Sequence, residues 1–264
     1  MADSGASFQR PQQPASFGRL QPFHGGLQLP GHCEVTAATP VSPAGIPPIL
    51  VLPLQQHIGA PAECQVRPGD QVCKGQILAT APGPISVPVH ASSSGTVIAI
   101  EKRPVPHPSG LQAECIVIET DGQDSSPQAD HAAIDYRHTE PAELCELIQQ
   151  AGIVGLGGAG FPTRVKLCNR SQHIELLLIN AVECEPYISC DNRLLQERAA
   201  EVVEGVMILR HIVQPDACII AIEDHMPQAE QALRAALDAV NEPGISVTRV
   251  PDIYPSGGER QLIK

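Results

Sequence analysis

Hydrophobic and polar positions alternate in two different textures along this chain. From about Ile49 to Thr120, short β-branched runs are cut by Gly and Pro at intervals of about eight to twelve residues. That spacing predicts short strands folded into a small β barrel or sandwich. Pro68-Gly69-Asp70 reads as a turn between two of them, and Gly95 as the turn that opens a strand running to Ile100. Asp121 to Asp130 then has the composition of a linker. Beyond it the period lengthens. Leu144, Leu147, Ile148 and Ala151 share one face at three- and four-residue spacing, which predicts a helix over Thr139 to Ala151, stopped by Gly152.

Apolar runs at Ile174–Ala181, Ala217–Glu223 and Ile245–Val250 predict three strands. Between them, Asp191 is expected to cap a helix reaching about Ile212, and Pro227 to open another to about Val240. This β-α-β-α-β order implies a parallel sheet with right-handed crossovers. The fold class expected is α/β plus β, with residues 1–22 a mobile leader, 23–122 a β domain, 123–133 a linker and 134–264 an α/β domain. The leader is rich in Gln, Pro, Ser and Gly and has too little apolar surface to offset the cost of ordering.

The stretch Gly155-Leu-Gly-Gly-Ala-Gly-Phe-Pro-Thr163 stands between the first helix and the first strand of the α/β part. Four glycines, Gly155, Gly157, Gly158 and Gly160, permit positive φ and let a ligand come close to bare amides. A loop of that kind suits a phosphate or a flat cofactor; a ligand-free turn is the other reading. A dinucleotide fingerprint follows a strand and opens a helix, and here the order is reversed. Pro162 is expected to keep a helix from starting directly after the glycines.

Ligands of parallel sheets sit off the carboxyl ends of the strands. There the sequence has Asn180-Ala-Val-Glu-Cys-Glu-Pro-Tyr187, Glu223-Asp224 and Tyr254-Pro-Ser-Gly-Gly-Glu259. Glu183 and Glu185, spaced by one, face the same way on extended backbone and could accept hydrogen bonds from sugar or ribityl hydroxyls. Solvated acidic loops are the alternative. The three loops and the glycine stretch together would form a cradle.

Composition removes several function classes. The formal net charge is −12 over 264 residues, and no cluster of Lys and Arg could neutralise phosphates, so a nucleic-acid surface is excluded. No run approaches the roughly 20 apolar residues that span a bilayer, and the N-terminus lacks a secretory plan, so any membrane attachment is expected through partners. The nine cysteines are scattered without a C-x-x-C pair, which leaves neither a zinc knuckle nor an iron–sulfur ligand run. Their odd number and the lack of an export signal imply reduced thiols in the cytoplasm. His24, His32, His90 and His107 read as surface or packing residues; no metal ligand and no catalytic side chain is assigned.

The segment Val66-Arg-Pro-Gly-Asp-Gln-Val-Cys-Lys-Gly-Gln-Ile-Leu78 resembles the barrel-sandwich fold of biotinyl and lipoyl domains. Carriers of that family present a modified lysine at a hairpin tip, where this chain has Val87, Pro88 and Val89; Lys74 belongs to the preceding turn. The domain therefore reads as a structural or docking module. The glycine phrase with Lys166 after it, then Asn180-x-x-Glu183-x-Glu185-Pro186, then Tyr254-x-x-Gly257-x-Glu259, resembles the flavin-binding subunit of respiratory complex I. Together with the barrel-sandwich domain, Val105-Pro-His-Pro-Ser-Gly110 and Glu183-Cys-Glu-Pro-Tyr187, the chain from about residue 23 onward is similar to the RnfC family, the C subunits of Rnf electron transport complexes.

That resemblance implies a lipoyl-like barrel sandwich followed by a complex-I-flavoprotein-like α/β domain. It implies FMN held by the glycine loop and NADH stacked above it as hydride donor. Gly155, Gly157, Gly158 and Gly160 would line the cofactor with amides, Phe161 would lie against a nucleotide ring, and Lys166 would reach phosphate or the flavin's carbonyl edge. Asn180, Glu183 and Glu185 would contact flavin and nucleotide; Tyr254, Gly257, Gly258 and Glu259 would close the other wall. Partners would be the other subunits of an ion-translocating complex at the cytoplasmic face of the bacterial inner membrane, with this chain peripheral. Two positions depart from the complex I pattern: Val182 stands where an aspartate is usual, and Leu156 where an arginine is. The family continues into [4Fe-4S] clusters that have no ligands in residues 1–264, so the chain is expected to be incomplete at its C-terminus. The alternative is a cofactor-free docking scaffold, as in the A subunit of the sodium-pumping quinone reductase.

Overall fold

The computed structural model describes residues 25–107, 109–127, 134–158, 160–168 and 173–263. The expected leader, His24, part of the expected linker and Ala159 of the glycine stretch lie outside the described residues. In chain order the elements are a short helix α1 (Cys33–Ala37), strands β1 (Ile49–Pro53), β2 (Glu63–Cys64), β3 (Gln71–Val72), β4 (Ile77–Thr80), β5 (Val89–His90), β6 (Gly95–Pro104) and β7 (Gln112–Thr120). A 3-10 turn at Tyr136–His138 leads to helices α2 (Pro141–Gln150) and α3 (Thr163–Leu167). Then come β8 (Leu176–Ala181), α4 (Cys190–Val213), β9 (Ala217–Glu223), α5 (Pro227–Val240), β10 (Ile245–Val250) and α6 (Glu259–Ile263). These elements gather into two units, one of Ser42–Gln172 with His211–Val213, the other of Met1–Val41, His173–Arg210 and Gln214–Lys264. Packing thus divides the chain differently from composition, because the helix and glycine stretch after residue 134 group with the β part.

In the first unit, β1, β7, β6 and β3 form one antiparallel sheet and β2, β4 and β5 another. Val72, Val97, Ile116 and Ile118 of the first sheet share one core with Leu78, Ala79 and Val89 of the second. This is the barrel sandwich that the alternation predicts, with apolar residues of two sheets interdigitating. Gly95 lets β6 and β7 approach: a Cβ there would lie 2.2 Å from the Glu119 carbonyl oxygen. β6 runs past its expected end at Ile100, because β7 pairs with it as far as Pro104↔Gln112. Lys74 is held in an ion pair with Asp124 at 2.5 Å, and the His107 ring meets the Ser109 hydroxyl at 2.7 Å.

The second unit is built on a parallel sheet in the order β10-β9-β8. Ile220 of β9 pairs with Ile179 on one side and Val247 on the other. A central parallel strand covered on both faces has to be apolar along its whole length. β9 meets that requirement as far as its last residue, Glu223: Cys218, Ile220, Ala221 and Ile222 are all buried. Helix α5 lays Ala229 and Leu233 inward, both fully buried. Its start at Pro227 matches a residue whose fixed φ and missing N–H suit the first helical turn. The expected cap of α4 differs. Ser189 precedes the helix without capping it, and Asp191 lies inside the first turn. The amides are satisfied by Glu183 instead, as described below. Among the described residues, no helix is long and apolar enough to cross a membrane.

Candidate functional site

The glycine stretch hangs from a short stem. α2 is stopped just before Gly152, which takes the left-handed region, φ +70°, as the sequence predicts. The chain then folds back so that Val154 bridges Pro162, the Gly155 amide donates to the Phe161 carbonyl at 2.8 Å, and the Thr163 amide donates to the Ile153 carbonyl at 3.1 Å. Helix α3 starts at Thr163, with Pro162 immediately before it. The expectation that Pro162 delays a helix is therefore corrected: proline lacks only an N–H that the first turn leaves unpaired anyway.

Each glycine answers to a different constraint. A Cβ on Gly155 would lie 2.7 Å from the Lys166 ammonium, so its bareness lets that side chain fold over the loop stem. Gly160, at φ +58°, would push a Cβ within 3.0 Å of the His57 Cα. At Gly157 and at Gly158 (φ +73°) nothing lies within 4 Å of the added carbon. These two glycines face open space with Leu156, which is 94% exposed. Among the described residues, the amides of Leu156, Gly157 and Gly158 donate no hydrogen bond. Lys166 is exposed, without an ion pair among the described residues, and its ammonium lies 5.9 Å from the centre of the Phe161 ring. Amides without a hydrogen bond among the described residues, in the loop whose Gly155 the Lys166 ammonium approaches, suit an anionic or polar flat ligand, so these residues fit a flavin mononucleotide.

The remaining expected residues lie in the other unit: Asn180 next to last in β8, Glu183 and Glu185 just after it, Tyr254, Gly257 and Gly258 between β10 and α6, and Glu259 at the start of α6. Asn180 accepts from the Val182 amide at 3.2 Å and donates from Nδ2 to the Gly257 carbonyl at 2.8 Å, which ties the loop after β8 to the loop before α6. Gly257 is required there: a Cβ would come 2.8 Å from the Val182 carbonyl oxygen and 3.2 Å from Cys184 Sγ. Its amide donates to that sulfur at 3.1 Å, while burial holds the Cys184 thiol above its ordinary pKa. Gly258 likewise meets the Pro255 carbonyl closely, and its carbonyl accepts from the Gln261 and Leu262 amides to start α6. Glu185, Tyr254 and Glu259 are exposed. Tyr254 pairs its backbone with Leu27 through two bonds of 2.8 Å.

Glu183 is the least free of the group. It is 3% exposed, and its carboxylate accepts from the Asp191 amide at 2.7 Å, the Asn192 amide at 3.0 Å and the Cys190 thiol at 3.3 Å. It satisfies the open amides at the start of α4 and sits at the positive end of that helix. The cost falls on Asp191, whose carboxyl is raised by burial and by the Glu183 charge beside it. Tyr187 takes φ +65°, donates its amide to the Gly31 carbonyl at 2.6 Å and stacks on His32, ring centres 4.9 Å apart. His32 is thus a packing residue. Sequence reasoning missed a further group, Glu223, His225 and Asp252, which the strand ends of β9 and β10 bring together. Glu223 was visible as an acid ending an apolar strand; the other two carried no signal.

Two family models match separate segments. One, described as the RnfC barrel sandwich hybrid domain, matches residues 21–123; the other, described as the Nuo51 FMN-binding domain, matches residues 148–264. The chain is 46% identical over 246 residues to the C subunit of the ion-translocating oxidoreductase complex of Serratia proteamaculans, covering 93% of this chain and 34% of that protein. It is also 46% identical, over 93% of its length, to the corresponding C subunit of Pseudomonas aeruginosa, of which it covers 31%. The chain therefore spans about a third of the length of the curated relatives it matches. A solved NAD+-reducing [NiFe]-hydrogenase in the air-oxidised state is 26% identical, with a TM-score of 0.43, over 49% of this chain and 24% of that one.

Proposed function

Because the chain belongs to the RnfC family, the C subunits of ion-translocating oxidoreductase complexes, we propose that it is the electron-entry part of such a complex, holding FMN and taking reducing equivalents from NADH. The observation that carries this reading is the glycine loop: amides of Leu156, Gly157 and Gly158 without a hydrogen bond among the described residues, open space where side chains on Gly157 and Gly158 would be, and an exposed Lys166 whose ammonium reaches Gly155. FMN, when bound, accepts a hydride from NADH and releases electrons singly. The protein's own part is placement. The loop amides and Lys166 hold the anionic and carbonyl edges of the flavin, and Phe161 offers an apolar ring face. In the other unit, Glu185, Tyr254 and Glu259 are exposed, and these are the residues that the family resemblance implies as nucleotide contacts. Asn180, Gly257, Gly258 and Glu183 keep the strand-end loops in shape, and Glu183 does so as the cap of α4. The electrons pass to [4Fe-4S] centres and other subunits of the complex, with this chain peripheral at the cytoplasmic face of the inner membrane.

The reading is tested by reconstituting the purified chain with FMN. It should turn yellow, retain one flavin through gel filtration, and bleach when NADH is added under anaerobic conditions. Gly158→Leu should fold, by circular dichroism, and retain no flavin. A wild-type chain that stays colourless at millimolar FMN overturns the proposal and leaves the docking scaffold in its place.

A further inference from the structure

Glu223 is a carboxylate with no evident reason to be where it is. It is fully buried at the end of β9, and neither of its carboxylate oxygens has a hydrogen-bond partner among the described residues. An unpaired buried carboxyl costs several kcal/mol unless a counter-charge is supplied. The groups facing it add to the difficulty. Asp252, Glu183 and Asp224 are further carboxylates whose charge bears on this buried position. The same negative field, from Glu223, Asp252 and Glu183, acts on the neighbouring Cys33 thiol after burial itself. Among the described residues no Lys or Arg pairs with Glu223, and its ion-pair partner is the imidazole of His225; a bound cation would balance the remaining negative charge.

The geometry supplies a place for one. His225 Nδ1 lies 3.5 Å from Glu223 Oε2 and 3.6 Å from Asp252 Oδ2, and the three ligand atoms all fall within 4.8 Å of one another. Around a tetrahedral ion with bonds of about 2.0–2.2 Å, neighbouring ligand atoms stand roughly 3.3–3.6 Å apart. The scaffold is fixed by backbone bonds: the Met226 amide turns back to the Glu223 carbonyl at 3.2 Å, the Asp224 amide to the Val250 carbonyl at 3.0 Å, and the Ile253 amide to the Pro251 carbonyl at 2.9 Å. His225 and Asp252 are partly exposed, their side chains 30% and 44% accessible, which leaves an access path and a fourth position for water. We infer that Glu223, His225 and Asp252 form a divalent transition-metal site of zinc type that pins the loop after β9 to the loop after β10. The second acidic group, Glu183 with Cys190 and Asp191, is no rival, because its carboxylate is already engaged by α4 amides.

The test uses the 264-residue chain, stripped with EDTA and titrated with Zn2+ alone in a calorimeter. One equivalent should bind at micromolar or tighter affinity. His225→Ala and Asp252→Asn, both partly exposed and expected to fold by circular dichroism, should each weaken it by at least about tenfold. Co2+ in place of Zn2+ should give visible bands of a tetrahedral nitrogen and oxygen site without thiolate charge transfer. Absence of a one-equivalent event in the wild type overturns the site. So does affinity unchanged in both variants, and so does a thiolate band, which would hand the ion to the cysteines.

Discussion

At the scale of single residues, this protein spends its special side chains on backbone. Glu183 reads from sequence as a ligand for hydroxyls, yet it closes the first turn of a helix that no Ser, Thr or Asp caps by its own side chain. Glu183→Ala should lower unfolding free energy in urea by about 1–3 kcal/mol, the cost of leaving buried amides unpaired. Glu183→Gln should cost less, since one oxygen still accepts. Gly257 is constrained from outside: its missing Cβ is where the Val182 carbonyl and the Cys184 sulfur already are. Gly257→Ala should destabilise by about 1–3 kcal/mol through overpacking, read as a lowered melting temperature. Gly158 is the opposite case, with an unobstructed surround and only its left-handed φ to satisfy, so a side chain there changes binding more than folding.

At the scale of elements, α5 and β10 are joined by charge as well as by apolar packing. Glu230 of α5 accepts from Arg249 Nε of β10 at 2.7 Å and from Arg234 of its own helix at 2.8 Å. Hydrogen bonds from Arg249 and then Arg234 hold the Glu230 carboxyl below its ordinary value. A carboxyl lowered in the folded state stabilises above its unfolded pKa of about 4.5, and that contribution is lost as pH falls below it. Glu230→Gln should therefore flatten the acid limb of a stability–pH curve below about 4.5 and leave the slope at neutral pH alone. β9 carries the apolar load of the sheet: Ile220 is fully buried between two partner strands, and Ile220→Ala should cost about 2–5 kcal/mol in chemical unfolding.

At the scale of the whole molecule, the described residues include two cores of different construction. One lies between the sheets of the barrel sandwich around Leu78, Val97, Ile116 and Ile118; the other flanks the parallel sheet around Val182, Ala221 and Val250. Local openings follow the core that is weakened. Leu78→Ala should raise hydrogen exchange at amides of β4, β6 and β7 while leaving β9 and β10 protected as before; equal loss in both sheets would mean a single cooperative unit. The glycine stretch belongs with the barrel-sandwich unit although the family models join it to the strands that follow. Order along a chain and packing in space divide this protein differently.

Much of this was settled by local chemistry. The bounds of β9, α5 and β10 follow from apolar period and from Pro227, and the alternation between Ile49 and Thr120 yields two sheets around one core, because burial periodicity is written residue by residue. The glycine phrase likewise announces a loop with exposed amides. Tertiary structure alone decided what the acids do. Glu183 caps α4, Glu223 is buried without a hydrogen bond to its carboxylate among the described residues, and His225 meets both Glu223 and, from 27 positions away, Asp252. A carboxylate looks the same in any sequence; whether it faces water, a helix end or other acids depends on neighbours that only the folded sheet brings beside it.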